Sequence, residues 1–82
     1  MKYKLKEGIQ IREEGDGFII NLRSRYPFFL NNDGISILKI LPSSLNEIEN
    51  FLYQRNINYD LDEVSDFLQK LVFLGYVETV ST

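Results

Sequence analysis

Apolar and polar residues alternate at the start of the chain. Tyr3 and Leu5 lie between Lys2, Lys4 and Lys6, and Ile9 and Ile11 alternate with Gln10 and Arg12. A period of two is that of a half-buried strand, so residues 2 to 13 read as a first strand. Asp16-Gly17 is a hairpin-turn signal, because both residue types tolerate a left-handed backbone. Phe18 to Leu22 then read as a second strand, with Phe18, Ile20 and Leu22 on one face. Residues 23 to 25 form a short polar connection to a third strand, Tyr26-Pro27-Phe28-Phe29-Leu30. Pro27 has no N–H to give to a ladder, which places this strand at an edge or the proline at its start.

From residue 35 the period changes. Ile35 and Leu38, and Ile37 and Leu41, are spaced as in a short buried helix, capped by Asn31 or Asp33 and stopped at Pro42. Ser44 and Glu47 fit a capping box, and Leu45, Ile48, Phe51 and Leu52 continue it as the stripe of a second helix. Asp60 and Glu63 repeat the capping-box spacing at the start of a third helix. Asp62 and Glu63 fall in its first turn, where the helix dipole favours acids. Leu61, Val64, Phe67, Leu68, Leu71, Val72 and Leu74 give it a wide apolar face, and Gly75 is a natural C-terminal cap. Residues 76 to 80 read either as a short terminal strand or as a segment packed over the core. The expected fold is α+β and winged-helix-like: a three-stranded antiparallel sheet followed by three helices, in one domain.

Composition narrows the chemistry. The chain has 82 residues and contains neither Cys nor His. Disulfides, thiolate metal sites and His-based catalytic triads are therefore excluded within it. No calcium-loop spacing and no phosphate-binding glycine loop is present. The acids at 60, 62 and 63 are explained by capping. We expect no enzyme activity, no metal and no cofactor. A net charge of −3 with mixed signs along the chain counts against nucleic acid as a partner. There is neither a membrane-length apolar run nor a secretory signal, so a cytoplasmic location is the default expectation.

One ordered set of residues is more specific. A strand ending Leu30-Asn31 is followed by Gly34 and a helix carrying Ile37 and Leu38. Downstream stand the Glu47-Ile48 pair, Phe67-Leu68-Gln69-Lys70-Leu71 and Gly75-Tyr76-Val77. Over residues 5 to 80 this order resembles the PqqD-like family. The resemblance implies a recognition element for the leader of a ribosomally made, post-translationally modified peptide. Such an element hands its precursor to a modifying enzyme, often a radical SAM protein, or to a leader peptidase in lasso-peptide pathways. It also implies that the leader adds as a strand beside the third strand and lies against the third helix.

On that pattern the peptide-binding residues are Arg25, Tyr26, Pro27, Phe28, Phe29 and Leu30 from the strand. Glu63, Phe67, Lys70, Leu71 and Leu74 come from the helix. Phe28 and Leu30 match inward positions of the family. Phe29 stands where the family commonly has a polar residue, and Pro27 deletes a donor; both are departures. Phe29 and Phe67 are the expected apolar contacts, Arg25 and Lys70 partners for leader carboxylates, and Glu63 a partner for a cation. Which of Phe67 and Leu68 faces the groove, and which way Pro27 faces, stay open at this level. An apolar strand edge is either covered within the chain, for instance by residues 76 to 80, or a docking edge. The rival readings are a winged-helix DNA-binding module using residues 61 to 74, and a structural protein–protein interaction domain. A homodimer, paired along the open edge or formed by strand exchange, also remains open.

Overall fold

The computed structural model describes residues 1–15, 17–21 and 27–81. Its elements run β1 (Lys2–Leu5), β2 (Gln10–Glu14), β3 (Gly17–Asn21), β4 (Phe28–Leu30), α1 (Asn32–Lys39), α2 (Leu45–Gln54), α3 (Leu61–Leu74) and β5 (Val77–Val80). The fold is mixed α+β, with antiparallel strands and three helices, and is consistent with a winged-helix-like arrangement.

The strand count differs from the three expected. The alternating stretch 2 to 13 is two strands, not one. Gly8 sits between them at φ 87°, a left-handed conformation that glycine adopts at little cost. The segments on either side join different sheets. β1 pairs with β5, from Lys2 opposite Val80 to Leu5 opposite Val77. On its other side Tyr3 exchanges two backbone hydrogen bonds with Ser43, at 2.8 and 3.1 Å. Residues 77 to 80 are therefore a strand, and the strand they pair with is the first.

The second sheet has the order β2-β3-β4. Its last pair is Glu14–Gly17, so Gly17 belongs to the strand and not to the expected Asp16-Gly17 turn; Asp16 lies outside the described residues. Gly15 takes the left-handed conformation, at φ 58°. Gly17 is a strand residue with a different duty. A Cβ there would stand 2.6 Å from the carbonyl oxygen of Leu30 and 2.9 Å from the Phe29 ring. β2 is exposed along its whole length, contrary to the half-buried strand expected. It is the outer strand of the hairpin, and Ile11, paired with Ile20 across the ladder, stays exposed.

The helices follow local rules with one exception. Asn31 caps α1 by accepting from the Gly34 N–H at 2.8 Å, which decides between the two candidate caps. The box at α2 is complete: Ser44 Oγ accepts from the Glu47 N–H at 3.2 Å, and Glu47 Oε1 from the Ser44 N–H at 3.1 Å. α3 has no box. Asp60 holds the extended cap backbone, but its side chain makes no cap hydrogen bond. The start of α3 is exposed from Asp60 to Glu63, where water can serve the free N–H groups. At its far end Gly75 is left-handed, at φ 89°. The Gly75 N–H donates to Val72 and the Tyr76 N–H to Leu71, at 3.1 and 2.9 Å. This is the Schellman arrangement. It turns the chain so that Tyr76 and Val77 enter the core and β5 meets β1.

A single cluster of buried apolar residues joins these parts. Tyr3, Ile20, Leu30 and Val77 come from the sheets, and Ile35, Ile37, Leu38, Ile48, Leu52, Val64, Leu68 and Leu71 from the helices, with Tyr76 between α3 and β5. No helix is long and apolar enough to cross a membrane among the described residues.

Candidate functional site: a groove beside an open strand

β4 ends its sheet: one edge pairs with β3, and no strand pairs with the other among the described residues. The same is true of β2, but the two edges differ in character. β2 carries Arg12, Glu13 and Glu14, with Arg12 Nε 3.3 Å from Glu14 Oε2. Charges of this kind discourage pairing with another chain. β4 is Phe28-Phe29-Leu30, with no charge on it.

Beside β4 lies a cleft of about 360 Å³, lined by Phe28, Phe29, Leu30, Asn31, Asp33, Gly34, Ile37, Tyr59, Glu63, Val64 and Phe67. The strand forms one wall, the first half of α3 the other, and the start of α1 the floor. Gly34 keeps that floor low: a Cβ there would stand 3.2 Å from Leu30 and 3.4 Å from the tip of Phe67. Pockets of roughly 300–1,000 Å³ hold small ligands or side chains.

On α3, Glu63, Phe67 and Lys70 follow one another at i, i+4 and i+7, which places them on one face. Phe67 is half-buried and lines the groove, whereas Leu68 is fully buried in the core. The choice left open by the sequence is settled by the neighbours of each side chain. Lys70 Nζ lies 5.5 Å from the centre of the Phe28 ring, within cation–π range. Phe28 also packs at a tilt against Tyr76, with ring centres 6.2 Å apart.

The remaining expected residues fall as follows. Phe29 is on the outer face of β4 and 62% exposed, its ring leaning over Gly17. Leu30 is buried yet contributes to the groove wall. Pro27 is exposed and precedes the strand rather than lying within it. Leu71 is completely buried in the core and absent from the groove lining, so it offers no surface to a ligand. Leu74 is half-buried against the core and lies outside the groove lining. Arg25 and Tyr26 lie outside the described residues.

Tyr59 and Asp33 were not anticipated. The Tyr59 hydroxyl donates to Asp33 Oδ2 at 3.2 Å, closing one end of the groove with the connector between α2 and α3. The available signal was an aromatic residue in a mostly polar connector. Elsewhere, Tyr53 and Phe73 are exposed aromatics away from the groove. No group of three metal-ligating side chains is found among the described residues. Away from the groove, hydrogen bonds from the Ser44 N–H and hydroxyl, with the Lys2 ammonium nearby, hold the Glu47 carboxyl below its ordinary value.

Comparison with family models, curated proteins and solved structures gave no match.

Proposed function

We propose that this protein is a peptide-binding module that takes an extended segment of a partner as an added strand on β4, over the groove against α3. The observation that carries the reading is the contrast between two sheet edges. One is defended by charge; the other is apolar, uncharged and beside a groove with aromatic walls. An added strand gains backbone hydrogen bonds from the edge and selectivity from the groove. In this reading Phe67 and Phe29 are the apolar contacts, and Phe28, Glu63 and Lys70 lie within reach of the bound segment.

The finer proposal follows the resemblance to the PqqD-like family. The bound segment is then the leader of a ribosomally made precursor, and the protein delivers it to a modifying enzyme or leader peptidase without catalysis of its own. The placement of Leu30, Asn31 and Gly34 around the groove supports this reading, since these residues carry much of the resemblance. Duplex DNA fits less well. The exposed part of α3 presents Asp62, Glu63 and Asp66 against Lys70 alone, and such a helix meets phosphates unfavourably.

The test is an NMR titration of the labelled protein with the leader of a precursor encoded beside its gene. Shifts concentrated on residues 27 to 34 and 59 to 70, at micromolar affinity or tighter, are the expected result. A leader known to be the right one that moves none of these signals would overturn the proposal.

A further inference from the structure

The groove is electrically polar along its length. At one end stand Asp33 and Glu63, both on its lining. At the other, Lys70 lies over Phe28. Phe67 is between them on the same face of α3. β4 runs from the Lys70 end at Phe28 towards the acidic end, where Leu30 leads to Asn31 and Asp33.

Resting on the strand-addition reading above, we infer that the groove selects both the charge order and the direction of its peptide. The occupant runs antiparallel to β4. It places a cation first, an apolar side chain next and a carboxylate last, reading from its N-terminal side. All the strand pairings in the described residues are antiparallel, and that pairing is slightly the more stable per residue. An antiparallel peptide enters at Asp33 and Glu63 and leaves at Lys70.

Spacing follows from the helix. Glu63 and Lys70 are about 10 Å apart along the axis at a rise of ~1.5 Å per residue. A strand advances ~3.4 Å per residue, with alternate side chains on one face. Three successive side chains on one face span ~13.6 Å, about 3 Å more than the helix separation, a difference the flexible Lys70 side chain can take up; cation, apolar residue and carboxylate then occupy alternate positions, the middle one against Phe67. β4 is short and Pro27 supplies no donor at its start, so the ladder is brief. The charges at the two ends then have a large share in fixing direction.

The experiment uses two synthetic peptides of one composition. One carries Lys, Ile and Asp at alternate positions in N-to-C order; the other carries Asp, Ile and Lys. Dissociation constants and amide shifts are measured for the protein and for Lys70→Glu. The first peptide binds about tenfold more tightly, as expected of two exposed ion pairs made rather than opposed. That preference fades in 1 M salt, where the screening length falls to about 3 Å. Lys70→Glu weakens the first peptide, and changing the peptide's Asp to Lys restores it. Equal or reversed affinities, with β4 signals still moving, would overturn the charge order and leave strand addition standing. Failure of both peptides to move β4 and α3 signals would count against both ideas.

Discussion

Replacing Gly17 with alanine separates two explanations of the same glycine. If Gly17 were a turn residue, a small substitution would cost only its conformational freedom, and asparagine would be accepted readily. The structure gives it another role. The added Cβ would lie 2.6 Å from a backbone oxygen, Leu30 O, and 2.9 Å from the Phe29 ring. The ring can rotate away, but the carbonyl belongs to β4 and moves only with the strand. Overpacking of this kind costs about 1–3 kcal/mol. In a domain of this size each kcal/mol lowers the melting temperature by roughly 4–8 °C. Gly15 is the control. Its φ is 58° and a Cβ there meets nothing within 4 Å, so Gly15→Asn meets only the left-handed backbone cost, which asparagine bears better than most residues, and should be milder than Gly17→Ala. Urea and thermal unfolding of both variants provide the assay. Gly17→Ala within about 0.5 kcal/mol of the parent, the usual range for surface changes, would refute the close-approach argument. Because the displaced atoms belong to β4, the same variant should also weaken any peptide that adds there.

Capping gives a paired prediction: Ser44→Ala should cost about 0.5–2 kcal/mol, while Asp60→Ala, which removes no cap hydrogen bond, should cost far less in the same unfolding assay. The Glu47 carboxyl is held below its ordinary value of 4.5, first by the Ser44 N–H. Its contribution is therefore present above that value and lost as pH falls through the lower folded pKa; Glu47→Gln should flatten the acid limb of the stability curve there. Leu71→Ala should destabilise by about 2–5 kcal/mol as a core truncation. By contrast, Phe67→Ala should retain the fold and weaken peptide binding by about 1–3 kcal/mol in calorimetry; unchanged affinity would remove Phe67 from the groove's function. The Tyr76 hydroxyl is buried with no hydrogen-bond partner among the described residues, so Tyr76→Phe should leave stability unchanged or raise it by about 1 kcal/mol, and a clear loss on thermal melting would show that the hydroxyl is satisfied.

What the sequence makes legible is what is settled within a few residues. The Ser44–Glu47 box and the Gly75 cap each depend on a handful of neighbours, and both form where their residues stand. The Asp60–Glu63 pair has the same spacing but no box, since spacing permits the hydrogen bond without requiring it. Relations between distant segments are less visible. An alternating stretch from 2 to 13 looks like one strand until β5 claims its first part and β3 its second. Gly17 looks like a turn residue because its contact partners, Leu30 and Phe29, lie on another strand. For the groove, the strand and the helix face are readable: Phe28, Phe29, Glu63 and Phe67 line it, and Lys70 stands over Phe28. The burial of Leu71 and the closure of the groove by Tyr59 on Asp33 are not readable. Both depend on how α3 and the preceding connector settle against α1.

The pairing of β1 with β5 sets the order in which the domain can be completed. It joins Lys2 to Val80, and closing a loop of about 80 residues costs roughly 4 kcal/mol in chain entropy. On a ribosome, Tyr3 emerges well before its partners and acquires one neighbour when Ser43 appears. It cannot reach its final burial until β5 has emerged. The groove's own parts, β4, α1 and the first half of α3, are all made before that strand. A growing chain can therefore assemble the walls of the groove while β1 and β5 are still unpaired.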